Sequence, residues 1–282
     1  MDKYAIFLDL DGTALSSHNH INDELITTVH QLQQDGHKIF IATGRQFYGA
    51  IPFHQVLHLD TPLIALNGGT IYDQQANLLH KEVLDTNFVH SLLANKDFPQ
   101  KIQVSFFDKI NHTISTDSHP ELTHFFYEQM PKDMLPNIDI KAPILDNQRH
   151  FQDTVSVFSM LEAENLSWAA DFFTDYQKQN PSDIAIRLVD NDISGRFSYC
   201  EYFPKNALKS KGIDWVIQKL ALQEYKTMAF GDGNNDVDML SFVHHGVAMQ
   251  NGCDEVLQVA DATTKSSNVD NGVAEYLQSF FL

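Results

Sequence analysis

The sequence predicts an α/β protein, with a parallel-sheet domain assembled from both ends of the chain and an α+β domain inserted between them. Three observations carry this. Short apolar runs, residues 4–8 and 227–230, each end in an acidic turn: Asp9-Leu10-Asp11-Gly12-Thr13 and Gly231-Asp232-Gly233-Asn234-Asn235-Asp236. Strand-like and helix-like patterns alternate at both ends of the chain. The middle instead shows period-two segments of the kind found in half-exposed antiparallel strands. In an open parallel sheet, ligands gather outside the carboxyl ends of the strands. Two such strands lying side by side would therefore bring several carboxylates to one point, a donor set suited to magnesium.

Taken in order, residues 4–8 form the first strand, and a loop over 14–20 leads to a helix. Asn22 is placed to cap that helix, Asp23 and Glu24 suit the positive end of its dipole, and Ile21 with Ile26 fits a hydrophobic staple. Leu25, Val29 and Leu32 form its buried stripe, and Gly36 ends it. Strands over 38–42 and 63–66 continue a strand, helix, strand unit of parallel type. The style resumes with a helix over 211–222, patterned by Ile213, Val216, Ile217 and Leu220. A strand over 227–230, a helix over 237–243, a strand over 246–249 and a final helix from about Asp270 follow.

The expected division is 1–83 with 204–282 for the discontinuous domain, and 84–203 for the insert. Within the insert, segments 102–106, 112–116 and 155–158 alternate as strands, and 121–130 and 165–179 read as helices. Pro131, Pro136 and Pro143 mark an irregular connection. Trp168, Phe172 and Phe173, at near-helical spacing, read as packing residues of the insert rather than as a ligand box.

At 282 residues with 43% hydrophobic content, the chain can bury a full core. Its apolar runs fall far short of the roughly 18 to 20 residues that cross a bilayer, and no export signal is apparent. With only two cysteines, Cys200 and Cys253, a reducing cytoplasm is the expected home. The formal charge of −18, from 37 acids against 19 bases, argues against a nucleic-acid partner. It also requires that a site for a phosphorylated ligand supply its own local cations.

Asp9, facing a substrate, can attack phosphorus in line and form an aspartyl phosphate. Asp11 can protonate the leaving oxygen and then deprotonate the hydrolytic water. Taken alone, the pattern reads equally as an acidic turn after a strand. The second turn changes that balance, because Asp232 and Asp236 add oxygen ligands and Asn235 can donate to a substrate oxygen. Thr43-Gly44-Arg45, after the strand over 38–42, could offer a hydroxyl and backbone N–H groups to a phosphate, but taken alone it reads first as a plain strand-to-helix turn. Lys211, beside Gly212 at a helix start, is the expected cation.

With these motifs in place, the chain resembles haloacid dehalogenase superfamily phosphatases of the Cof-like kind, whose type C2B cap is inserted between the second and third motifs. Asp9-Leu10-Asp11-Gly12-Thr13, Thr43-Gly44-Arg45, Ser210-Lys211-Gly212 and Gly231-Asp232-Gly233-Asn234-Asn235-Asp236 stand in the family's order. Asn67-Gly68-Gly69 and Asn271-Gly272-Val273-Ala274 match as well. The resemblance implies a Rossmann-like core, a Mg2+ cofactor, and Asp9 as nucleophile and metal ligand. It makes Asp11 the acid/base, binding metal through its backbone carbonyl, and Asp232 a further ligand. Thr43, Gly44 and Lys211 would hold phosphate, and Asn235 would contact substrate. Asp236 in such proteins more often stands behind the metal ligands than among them. Gln250-Asn251-Gly252 departs from the usual Gly-Asn-Ala, in a loop rather than in the chemistry.

The expected activity is magnesium-dependent hydrolysis of a small phosphomonoester, such as a sugar phosphate, nucleotide or phosphorylated cofactor, by a monomer or small homo-oligomer. A phosphomutase with the same covalent intermediate and a non-catalytic phosphate-ligand binder are the rivals. Among 14 histidines, His18, His20, His244 and His245 are read as surface or satisfied groups, His18 and His20 being the least bland because they follow the first motif. Cys253 is read as an ordinary free thiol.

Overall fold

The computed structural model describes residues 2–16, 20–98, 102–109, 113–115, 138–139, 153–190 and 198–282. The chain divides into two compact units, Met1–His80 with Ala207–Leu282, and Lys81–Asn206. The first contains a sheet of five parallel strands in the order Ala262–Thr263, His245–Ala248, Lys226–Gly231, Tyr4–Leu8, Lys38–Ile41. Tyr4–Leu8 lies in the interior of the sheet, with Ile6 opposite both Met228 and Ile39. Such a strand must be apolar throughout, and residues 5 to 8 are wholly buried. Phe7 and Phe40 stack with ring centres 4.7 Å apart, within a core that includes Ile213, Val216, Ala229, Met239 and Leu240.

The first helix, Asp23–Gln34, buries Leu25, Thr28, Val29 and Leu32. It stops as expected at Gly36, whose φ of +85° suits a residue without a Cβ. Gly36 N–H donates to the Gln33 carbonyl and His37 N–H to that of Leu32, closing the helix end. Asn22 stands at the other end but makes no capping bond. Its side chain donates instead to Asn271, so a tertiary partner has displaced the expected local one.

The strand expected over 63–66 is also modified. Leu63–Ala65 touches the parallel strands through one bridge, Ala42 with Ile64, and pairs mainly with Thr70–Tyr72 in a separate sheet with Leu78–Lys81. The later helices are Lys209–Lys219, Val237–Phe242, Asp254–Val259 and Gly272–Phe281.

In the second unit, strands run in the order Ile184–Val189, Ser198–Pro204, Thr154–Leu161, Ile102–Lys109, Thr113–Ser115, Ile138–Asp139. All neighbours are antiparallel except the last pair. Helices Thr86–Ala94 and Leu166–Gln179 pack on one face of this sheet, where Phe88, Leu92, Ala169 and Tyr176 meet Val157, Leu161, Cys200 and Tyr202. Trp168, Phe172 and Phe173 join that core. The helix expected over 121–130, the three prolines and His18 lie outside the described residues.

Candidate active site

Asp9 is the first residue beyond Tyr4–Leu8, and its N–H still donates to the Phe230 carbonyl at 3.1 Å. The strand thereby delivers the carboxyl to the sheet's edge, where it is only 4% exposed. The chain then closes a wide turn through Ala14 N–H to Asp9 O and Leu15 N–H to Leu10 O. That turn needs Gly12 twice over. Its φ is +74°, and a Cβ there would lie 2.1 Å from Asp232 Oδ2.

Asp232 follows the neighbouring strand, Lys226–Gly231, and Asp236 closes the short helical turn Asn234–Asp236. A Cβ on Gly231 would strike the Asp236 side chain at 2.4 Å, so glycine admits that carboxyl. Oxygens of Asp9, Asp232 and Asp236 lie within 4.8 Å of one another.

The cation among them is Lys209, where sequence reasoning placed Lys211. Lys209 is wholly buried and donates to Asp9 Oδ1 at 2.5 Å and to Asp236 Oδ1 at 2.6 Å. Lys211 is exposed. Helix geometry explains the exchange, because a residue shares its face with those three, four and seven positions on. Lys209 therefore lies on the face of Ile213 and Val216, which pack in the core, whereas Lys211 is turned about 200° away. The signal was available in the buried stripe of this helix.

Asp236 is fully engaged by protein. Oδ1 takes Lys209, and Oδ2 accepts from the N–H groups of Asp232 and Gly233 at 3.0 and 2.9 Å. Asp232 Oδ1 accepts from Thr13 Oγ1 at 2.8 Å. Among the described residues no donor reaches Oδ2 of Asp9 or of Asp232. Burial pushes the Asp9 carboxyl well above its usual range, Lys209 opposing and Asp236 and Asp232 adding to the rise. Burial likewise pushes Asp232 up to about 7, with Asp236 reinforcing it. Burial alone would lower Lys209, but Asp236 and Asp9 outweigh it and hold the ammonium charged. With all three carboxylates ionised, one ammonium would leave two negative charges at a buried point; that imbalance is what raises Asp9 and Asp232, and a divalent cation would relieve it. The donor set fits magnesium, with Asp9 and Asp232 offering free oxygens and Asp236 holding Lys209 and the turn.

Thr43, Gly44, Asn67 and Asn235 meet on a second side. Asn235 Nδ2 donates to Asn67 Oδ1 at 2.9 Å, and a Cβ on Gly44 would lie 3.2 Å from that oxygen. Asn67 N–H donates to the Thr43 carbonyl, and Thr43 Oγ1 accepts from Arg45 N–H at 3.1 Å. Asn67, noted in the sequence only as part of a matching signature, is thus the partner that orients Asn235. Asp11 stands apart from the acidic cluster and faces Arg45, with Nε to Oδ2 at 2.7 Å and Nη2 to Oδ1 at 2.5 Å.

The Gln250-Asn251-Gly252 loop braces both acidic turns. Asn251 Nδ2 donates to Gly12 O, and Cys253 N–H donates to Asp232 O. His244 is satisfied by Thr227 and His245 by Tyr276, while His20 is exposed. Burial raises the Cys253 thiol, as befits an ordinary one.

This fold and acidic cluster match a known family. The sequence profile of haloacid dehalogenase-like hydrolases matches residues 6–277, and the chain belongs to that family, of the Cof-like kind. It is an enzyme of the family's phosphatase type. The 5-amino-6-(5-phospho-D-ribitylamino)uracil phosphatase YitU of Bacillus subtilis is 25% identical over 280 residues, covering 99% of this chain and 97% of its own. The subclass IIB sugar phosphatase BT4131 superposes with a TM-score of 0.74 at 22% identity, covering 99% of each chain. A haloacid dehalogenase-like hydrolase from B. subtilis gives a TM-score of 0.76 at 23% identity, covering 97% of this chain and 98% of its own.

Proposed function

We propose that this enzyme hydrolyses a small phosphomonoester in the presence of Mg2+ through an aspartyl phosphate on Asp9. The observation that carries the reading is the buried Lys209 ammonium between Asp9 and Asp236, with Asp232 alongside. Lys209 orients this buried carboxylate and opposes the rise that burial imposes on it, and a bound divalent cation would complete the ionisation an in-line nucleophile needs.

Asp9 attacks phosphorus, and the bond from phosphorus to the ester oxygen breaks. Asp11 gives that oxygen its proton. In the second half, Asp11 takes a proton from water as the water oxygen bonds to phosphorus and the bond to Asp9 breaks, releasing inorganic phosphate. Thr43, the Gly44 N–H and Asn235, steadied by Asn67, would donate to the phosphoryl oxygens, and Lys209 holds Asp9 in place. Mg2+, held by Asp9, Asp232 and the Asp11 carbonyl, would neutralise charge on the transferring group.

The names of the relatives point to small phosphorylated metabolites, and a sugar phosphate, nucleotide or phosphorylated cofactor is the substrate class we assign. We place the enzyme in the cytoplasm, as a monomer or small homo-oligomer with neither nucleic-acid nor membrane partner. Among the described residues no helix is long and apolar enough to cross a membrane.

The test is phosphate release from such esters and from p-nitrophenyl phosphate, with Mg2+ or EDTA, for wild type and Asp9→Asn. Release that needs Mg2+ and is lost in the variant supports the reading. Turnover surviving in Asp9→Asn refutes the covalent route, and an isomerised ester without free phosphate would identify a mutase.

A further inference from the structure

We propose that Arg45 is the positioning residue for Asp11, holding its carboxylate in the orientation from which it serves the leaving oxygen. The proposal rests on the function assigned above. Asp11 needs such a device because its own surroundings supply none. Its backbone is extended within the turn, at φ −74° and ψ 123°, and the left-handed Gly12 follows. The side chain consequently projects out of the turn and is 60% exposed. It takes no part in the Asp9, Asp232 and Asp236 cluster. Among the described residues Arg45 is the only donor to its carboxylate, and the contact is a two-pronged fork. A fork of this kind sets the plane of a carboxylate as well as its distance.

Arg45 is itself held before any substrate arrives. Its Nη1 donates to the Gly49 carbonyl at 3.3 Å, and its guanidinium lies 5.2 Å from the centre of the Phe53 ring. Its own N–H donates to Thr43 Oγ1, and its carbonyl accepts from Leu66 N–H at 2.9 Å. The second motif therefore serves two ends. Thr43 and Gly44 face the phosphoryl site, and the next residue reaches across to the acid/base of the first motif.

If Arg45 acts through Asp11, its loss must weaken protonation of the leaving oxygen and the later activation of water, and so slow transfer to Asp9 only where the leaving group needs a proton. Arg45→Ala and Arg45→Lys are compared with wild type on a simple alkyl phosphate and on p-nitrophenyl phosphate, whose leaving group needs little protonation. A misplaced catalytic group costs on the order of 100-fold. For Arg45→Ala, kcat/KM, which reports transfer to Asp9 and departure of the leaving group but not the later hydrolysis common to both esters, should therefore fall roughly 100-fold for the alkyl ester and only about three- to five-fold for the aryl ester. The Lys variant, without a fork, should recover little of the alkyl rate, whereas added guanidinium should restore activity to Arg45→Ala and tetramethylammonium at equal ionic strength should not. Equal losses for both esters would assign Arg45 to the phosphate or to folding, and no loss would make it idle; either overturns the proposal. Failure of the underlying reading shows separately, as turnover that survives in Asp9→Asn, and would remove this proposal with it.

Discussion

Lys209 is the residue whose environment says most about the site. A lysine with no exposed side-chain surface is tolerated only because two carboxylates accept from it, and removing one partner of a buried pair costs about 3 to 5 kcal/mol. Lys209→Ala is therefore expected to lower both melting temperature and activity, kcat/KM by roughly 100-fold or more. Lys211→Ala, on the exposed side of the same helix, should stay within about two-fold of wild type. A thermal melt and an assay of the pair decide the assignment, and equal effects would refute it.

Asp232 gives a second prediction at this scale. Its carboxyl is raised to about 7, so without metal the folded protein keeps a proton that the unfolded chain loses near pH 4. Stability from this group is present below about pH 4 and is lost as pH rises towards 7, because there the folded state binds more protons than the unfolded one. Mg2+ competes with that proton. The rise in melting temperature produced by Mg2+ over EDTA should accordingly grow between pH 5 and 8. A pH-independent increment would count against Asp232 as a ligand.

Among the elements, the loop after Leu63–Ala65 shows how backbone shape sets side-chain geometry. Leu66, Asn67 and Gly68 all have positive φ, at 47°, 53° and 91°. The loop folds back on the start of the helix Lys209–Lys219, where a Cβ on Gly68 would lie 2.2 Å from the Leu208 carbonyl. That carbonyl is backbone and cannot step aside. The same helix start is held from the other direction by Asp238, whose Oδ2 accepts from Ser210 N–H at 2.7 Å. Gly68→Ala should destabilise the protein by more than the ~1 to 2 kcal/mol of left-handed strain alone. It should also reduce activity by displacing Lys209 and Asn67 together. A variant as stable and as active as wild type would show that this contact is dispensable.

On the scale of the whole chain, the parallel sheet unites segments far apart in sequence. Tyr4–Leu8 pairs with Lys226–Gly231 across the intervening unit, residue 4 opposite residue 226. All five parallel strands lie outside residues 81–206. A chain with 81–206 replaced by a Gly/Ser linker of about ten residues, with a mean reach of roughly 16 to 19 Å, should therefore still melt cooperatively and be stabilised by Mg2+. Loss of the cooperative transition would show that the insert is part of the first unit's folding.

The limits of sequence reading follow from the same distinction between local and distant contacts. Tyr4–Leu8 was legible as a buried strand because each of its positions meets the same demand, an apolar side chain. Gly36 was legible as a helix stop because the requirement for positive φ is local. That Asp9, Asp232 and Asp236 come together is legible because they sit on turns that follow two such strands, whereas the Asp11 side chain turns away to Arg45. The sequence at Asn22 predicts a cap, but its partner in the fold, Asn271, lies 249 positions away, beyond the reach of a local pattern. The motif points to Lys211 and the fold to Lys209, because a motif records order along the chain and not the direction in which each residue of a helix faces.

By itself, then, the sequence determined the fold class, the two acidic turns and the kind of chemistry they support, all consequences of periodicity and local backbone preference. Only the tertiary structure decided which lysine enters the cluster, that Asp236 serves Lys209 and the turn with both its oxygens, and that Arg45 reaches Asp11. Those facts depend on the direction of side chains brought together from strands and helices that the chain order keeps apart.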